Sequence, residues 1–143
     1  NKPNNIMPIL SKVASGQIRN LEIFGNDWKT VDGTGVRDYI HVMDLAEGHF
    51  LALENLFNKK SQIIKLNLGT GIGTSVLQLV QTFETVNNVK IPFEFVSRRK
   101  GDLGYSVADS SLAKSKLNWK PTNNIQDMCR DSWNWFKRNP SGF

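Results

Sequence analysis

IIKLNLGTGIGTSVLQLV, residues 63–80, changes its period half-way along. Residues 63–68 are a short run of Ile and Leu broken by Lys65 and Asn67, the length and composition of a strand. Gly69, Gly71 and Gly73 then punctuate the chain. From Thr74 or Ser75 onward the apolar residues Val76, Leu77, Val80, Phe83 and Val86 recur at helical spacing. Strand, glycine turn and helix in that order predict an α/β layer structure. The same order is the setting of a dinucleotide-binding turn. The spacing here is G-x-G-x-G, however, and Thr74 stands where a third glycine would be. An acidic residue about 20 positions on is not found at the end of a next strand. Glu84 is too near and Glu94 falls inside a later strand. A structural turn is therefore expected rather than a phosphate site.

Outward from this unit the alternation continues, without repeats or low-complexity segments. Towards the start, Asn4 or Asn5 caps a helix running to about Ser15 and ended by Gly16. Residues 21–24 read as a strand, 25–27 as a turn and 28–35 as a loop. Residues 36–42 carry β-branched and aromatic side chains and predict a strand. Asp44 is expected to cap a helix to about Asn58, with Leu45, Phe50, Leu53, Leu56 and Phe57 on its apolar stripe. Towards the end, residues 91–96 predict a strand, and Asp109 a cap for a short helix to Leu117. A last helix over 124–138 is expected to bury Ile125, Met128, Cys129, Trp133 and Phe136. Three main strands are few for an open sheet, so part of the sheet is expected in a segment outside this chain.

Composition narrows the class. With 143 residues, 39% of them hydrophobic and 22% charged, the chain has ordinary globular composition for one domain. No apolar run approaches the roughly 20 residues of a membrane helix. No secretory signal is visible in NKPNNIMPIL, whose apolar stretch is broken by Pro8. The chain also opens without a methionine, so the start of the gene product is expected to lie upstream. One cysteine, Cys129, excludes an internal disulfide and a multi-cysteine metal site, which fits a cytoplasmic location. The net charge of +5 raises the possibility of nucleic acid, but the cations are scattered apart from Arg98-Arg99-Lys100. No zinc-finger or RNP pattern is present. A small phosphorylated ligand suits this cluster at least as well.

Several residues are candidates for that ligand. Arg37 follows a glycine-rich loop, where a guanidinium can make two parallel bonds to a phosphate. The plainer alternative is a local pair with Asp38. Arg98 to Asp102 places three cations before a carboxylate, suited to a pyrophosphate and a ribose diol, or else to a solvated charged loop. Phe24, beside a polar turn, stacks on a base or belongs to the core. His41 and His49 lack the spacing of metal ligands. A tyrosine with a lysine four residues on, the general-base pair of short-chain dehydrogenases, is absent: Met43 follows Tyr39 at that distance and Asp109 follows Tyr105.

The block GNDWKTVDGTGVRDYIHVMDLAEGH, residues 25–49, closely resembles the corresponding stretch of UDP-glucose 4-epimerases. NNIMP at 4–8, LNLGTG at 66–71, RRKGD at 98–102 and CRDSWNW at 129–135 fall in that family's order. The resemblance covers nearly the whole chain. LNLGTG alone is shared across the extended short-chain dehydrogenase superfamily, whereas the 25–49 block is specific. The resemblance implies the carboxy-terminal, UDP-sugar-binding portion of an extended short-chain dehydrogenase fold, with an amino-terminal Rossmann domain outside this chain. In the family, NAD oxidises the hexose at C4, the 4-keto sugar rotates, and hydride returns to the other face. The part resembled here follows the catalytic tyrosine, so no catalytic residue and little of the NAD contact is expected. By resemblance, Asn5, Arg37 and Arg99 contact the diphosphate. Glu22, Ile23 and Phe24 face uracil, Asp102 holds the ribose, and Ser106 lies near the sugar. The family also implies a homodimeric parent whose dimer helices lie mainly outside this chain.

Overall fold

A computed structural model of the chain describes residues 5–58 and 62–142. Helix α1 (Ile6–Ala14) sets Leu10 and Val13 on one face, and that face is buried. Asn5 holds its N-cap position without a side-chain capping bond. Asn4, the other expected cap, lies outside the described residues. Strand β1 (Leu21–Phe24) follows, with Leu21 and Ile23 buried and Glu22 outward, as a period of two requires. It pairs in parallel with β4 (Phe93–Val96), Leu21 opposite Phe93 and Phe24 opposite Val96.

Helix α3 (Val76–Asn87) begins at a capping box of Ser75 and Gln78, which satisfies two of its orphan backbone donors. Helix α5 (Ile125–Arg138) begins at another, made by Asn124 and Asp127. The main core joins α1, β1, α3 and α5 through Leu10, Val13, Leu21, Ile23, Leu79, Val80, Phe83 and Cys129. Burial pushes the Cys129 thiol up to about 12, so it is core material rather than a nucleophile. A smaller core, Ala113, Leu117 and Trp119 with Leu66 and Leu68, lies where α4 (Ser111–Leu117) packs on α2 (Val42–Phe57). A second sheet has β2 (Val36–Arg37) at its centre, antiparallel to β3 (Thr74–Ser75) and parallel to β5 (Tyr105–Ser106).

Several expectations are corrected. The strand expected over 36–42 stops at Arg37. Asp38 turns its carboxylate onto backbone N–H groups elsewhere, and His41 already occupies the N-cap of α2, accepting from Met43 N at 3.1 Å. Asp44 is therefore not a cap; it is a buried first-turn residue bonded to Thr122 and Asn123. Residues 63–68 carry no strand, because no strand among the described residues lies beside them to supply a ladder. Ile63 is 93% exposed. Phe50, Leu53, Leu56 and Phe57 of the expected apolar stripe of α2 are all exposed among the described residues. Asp109 accepts from Ser111 N but stands one place before the N-cap, which is Ser110.

Candidate functional site

A cleft of about 280 Å³ opens between α1, the ends of β1 and β2, and the loop leading to β5. The loop over residues 28–35 reaches it by an internal carboxylate. Asp32 accepts from Thr34 N at 2.9 Å and Thr34 Oγ1 at 2.7 Å, and its other oxygen accepts from Ser75 Oγ. Burial pushes the Asp32 carboxyl up, but the bonds from Ser75 and Thr34 outweigh it and hold the group below 3.8. The loop is thereby tied to the start of α3 and delivers Gly35 and Arg37 to the cleft.

Seven of the eight candidate residues line this cleft: Asn5, Glu22, Ile23, Phe24, Arg37, Arg99 and Asp102. Asn5 comes from the N-cap of α1, and residues 22–24 from the end of β1. Arg99 donates to Asp102 through Nε at 2.9 Å and Nη2 at 3.3 Å, and its guanidinium lies 4.5 Å from the centre of the Phe24 ring. Arg37 donates from Nη1 to the Val36 carbonyl at 2.8 Å, and no carboxylate among the described residues pairs with it. The local pair with Asp38 does not form. Ser106 stands apart from the cleft lining: it is exposed on β5 as the register partner of Arg37.

The cleft also contains residues that sequence reasoning did not single out as site residues. Trp28, Val76 and Leu103 line it, as does Tyr39. Val76 was legible only as an apolar helix position, because one face of a first-turn residue serves core and cleft alike. Burial pushes the Tyr39 phenol up to about 12, against the opposing pull of the Arg37 charge. The phenol is therefore protonated near neutral pH.

The glycine turn has a different role. Asp38 accepts from Thr70 N at 2.8 Å, Thr70 Oγ1 at 2.5 Å, Gly71 N at 2.9 Å and Ala108 N at 3.2 Å. A Cβ on Gly69 would sit 2.5 Å from that carboxylate. The backbone donors a dinucleotide phosphate would use are occupied from within, so these residues do not fit a dinucleotide at this turn. His41 faces Asp131 at 3.4 Å and His49 bonds the Leu45 carbonyl. Among the described residues no cluster of three or more His, Cys, Asp or Glu is placed to hold a metal ion, and no helix is long and apolar enough to cross a membrane.

Residues 2–132 match the family model described as GDP-mannose 4,6 dehydratase, and the chain belongs to that family. Within it, the chain is similar to UDP-glucose 4-epimerases. It is 52% identical over 141 residues to that enzyme of Dictyostelium discoideum, a match covering 99% of this chain and 41% of the relative. The UDP-glucose 4-epimerase of Bifidobacterium longum, solved with NAD+ and UDP, superposes with a TM-score of 0.95 at 42% identity, over 100% of this chain and 42% of that one. The enzyme from Stenotrophomonas maltophila, solved with NAD and formylated UDP-arabinopyranose, gives 0.92 at 49% identity, over 96% and 41%. The expected mixed α/β fold is thus the fold of part of an extended short-chain dehydrogenase, and the chain spans about two-fifths of its relatives' length.

Proposed function

We propose that this chain is the carboxy-terminal, UDP-sugar-holding portion of a UDP-glucose 4-epimerase, an isomerase that interconverts UDP-glucose and UDP-galactose through a 4-keto intermediate. The observation that carries the reading is the single cleft that gathers Asn5, Phe24, Arg37, Arg99 and Asp102 from segments far apart in sequence. Phe24 and the backbone of 22–24 take the uracil, and Asp102 the ribose diol. Arg37, Arg99 and Asn5 take the diphosphate, and Ser106, beside Arg37 in register, faces the sugar. Stacking of a base on Phe24 requires Arg99 to leave that ring and turn to phosphate. Proton transfer is assigned to the part of the parent outside this chain, since neither tyrosine here has its lysine. NAD, held by the solved relatives, is likewise assigned to an amino-terminal Rossmann domain, because the glycine turn of this chain does not fit it. A cytoplasmic location is supported by the single cysteine, and a homodimeric parent by the family resemblance alone.

Calorimetric titration with UDP tests the reading. The chain should bind UDP, and Arg37→Ala should weaken binding by about 10- to 150-fold, the worth of one bond to a charged group. With added NAD the chain alone should not interconvert UDP-glucose and UDP-galactose. An unchanged dissociation constant in Arg37→Ala removes Arg37 from the site. The description of the matched family model favours a second reading, a nucleotide-sugar dehydratase. A 4-keto-6-deoxy product from the full-length enzyme would establish that reading in place of epimerisation.

A further inference from the structure

Two consecutive arginines cover two aromatic rings along one rim of the cleft. Arg99 lies over Phe24, and Arg98 lies over Trp28 with its guanidinium carbon 3.9 Å from the ring centre. Arg98 is held in two further ways: Nε donates to Asp27 Oδ1 at 2.7 Å and Nη2 to the Asp27 carbonyl at 2.6 Å. The indole N–H of Trp28 donates to the carbonyl of Phe24 at 3.2 Å, at the end of β1. Backbone closes in on the same ring. A Cβ on Gly104 would lie 2.8 Å from Trp28 Cε3. One on Gly25, whose φ is +84°, would lie 2.7 Å from Trp28 Nε1 and 2.8 Å from Arg98 Cγ. The indole is wedged between two main-chain segments that only glycine lets approach so closely.

We propose that Trp28 and Arg98 are positioning residues that clamp the 98–104 segment onto the end of β1, and so set the gap between the Phe24 ring and the Arg99–Asp102 pair. The proposal rests on the reading of this cleft as a UDP site. The Arg98–Asp27 ion pair is largely exposed, and such pairs add little stability in water. Its contribution is orientation. A planar guanidinium fixed by a ring, a carboxylate and a carbonyl cannot swing, and the backbone it anchors is that of Arg99. A lysine at 98 keeps the charge but loses the fork and the stack. Without the clamp, the segment is still held by Gly104, whose carbonyl accepts from Val36 N at 2.8 Å, but its first half keeps only the contact of Arg99 with the Phe24 ring to fix it on β1. A nucleotide must then order that half itself, including Arg99 and Asp102, which lowers affinity by about tenfold.

The test uses the whole chain with two measurements: UDP affinity by calorimetry, and backbone order over 97–104 by 15N relaxation without ligand. Arg98→Lys should loosen 97–104, raise the UDP dissociation constant by about tenfold, and leave the melting temperature within about 2 °C. Trp28→Ala should do the same to loop and affinity, and Trp28→Phe, which keeps the stack without the N–H, should restore most of both. The double variant Trp28→Ala with Arg98→Lys should be no worse than Trp28→Ala, as expected for members of one device. The proposal is overturned if the loop stays ordered in Arg98→Lys, or if affinity falls with loop order unchanged, which would make Arg98 a direct ligand. Additive losses in the double variant overturn it equally. If the unaltered chain binds no UDP, the reading of the cleft fails, and the relaxation data on Arg98→Lys alone decide whether the clamp exists.

Discussion

Replacing Asp44 by asparagine should cost this fold about 3 kcal/mol. Asp44 is 1% exposed and joins α2 to the segment between α4 and α5. Its Oδ1 accepts from Thr122 N at 3.1 Å, Thr122 Oγ1 at 3.0 Å and Asn123 Nδ2 at 2.9 Å; its Oδ2 accepts from Asn123 N at 3.0 Å. Its carbonyl accepts from the buried Trp119 indole at 3.0 Å. An asparagine keeps one oxygen for the first group of donors but turns an NH2 towards the Asn123 N–H. One bond to a charged acceptor is lost, worth about 1.5–3 kcal/mol, and a donor is left unmet at about 1–3 kcal/mol. These overlap, so about 3 kcal/mol is the sum expected, out of a domain stability of about 5–15 kcal/mol. Urea unfolding followed by tryptophan fluorescence should show a lower midpoint with unchanged slope. The melting temperature should fall by roughly 10 °C. The pH dependence has a definite sign. Burial pushes the Asp44 carboxyl up, but the bonds from Thr122 and Asn123 outweigh it and hold it below 3.8. Its stabilisation is therefore fully present above 3.8 and is lost as the pH falls through the lower folded value. Asp44→Asn should make the acid limb of the stability profile shallower, though not flat, since Asp32 is lowered too. A loss under about 1 kcal/mol, or an acid limb of unchanged steepness, would refute the reasoning.

The apolar stripe of α2, with Phe57 80% exposed, should make the chain self-associate as concentration rises. Sedimentation velocity should show this, and Leu53→Lys with Phe57→Lys should reverse it; a strictly monomeric unaltered chain at high concentration counts against it. In the full-length enzyme, Ser106 should leave room for a 2-acetamido group, so N-acetylated UDP-hexosamines should be turned over. Ser106→Tyr should abolish that turnover selectively, read as kcat/KM for the two substrate pairs; if Tyr105→Ala is what admits them instead, the gate is Tyr105. Arg99→Ala should weaken UDP binding less than Arg37→Ala does, because Arg99 gives up a carboxylate partner to meet phosphate and Arg37 does not. Equal or reversed losses by calorimetry would contradict that ranking.

Local patterns in the sequence located what is locally determined. β1 and the bodies of α1, α3 and α5 fall where period and caps placed them, because an apolar face, a cap and a short apolar run are local signals whatever distant element later packs on them. What stayed hidden was decided at a distance. Asp44 has the residue type of a cap, but its partners lie 78 and 79 positions away, and His41 takes the cap instead. Asp38 has partners 32 and 70 positions away, and meeting them ends the strand that residues 36–42 otherwise suggest. The stripe on α2 and the run at 63–68 show a further limit: periodicity reports that a face is apolar and says nothing of what covers it. Residue type and setting singled out Arg37, Arg99, Asp102 and Phe24, but their meeting with Asn5 was legible through resemblance alone, since no spacing rule brings Asn5 beside Arg99.

The glycine turn and the start of α3 bear on how the proposed site would meet negative charge. Around residues 69–73 the exposed backbone donors are filled by the chain's own Asp38 carboxylate, and the turn becomes a structural joint. The N-terminus of α3 is closed in the same way. Val76 N donates to Gly35 O, Leu77 N to Thr34 Oγ1 and Gln78 N to Ser75 Oγ. Thr70 N and Gly71 N in the turn, and the first three N–H groups of α3, are thus taken before any phosphate arrives. The positive charge for a diphosphate in this cleft must then come from side chains, and Arg37 and Arg99 are the cations that line it. Side chains adapt more than backbone does, and that adaptability has to be restrained if the geometry is to hold. In the free chain Arg99 rests on Asp102 and the Phe24 ring, contacts it gives up to meet phosphate, while its neighbour Arg98 stays held by Asp27 and Trp28. On the proposed reading, a diphosphate held by arginines rather than by a glycine turn depends on Trp28 at the rim to keep the backbone beside Arg99 in place.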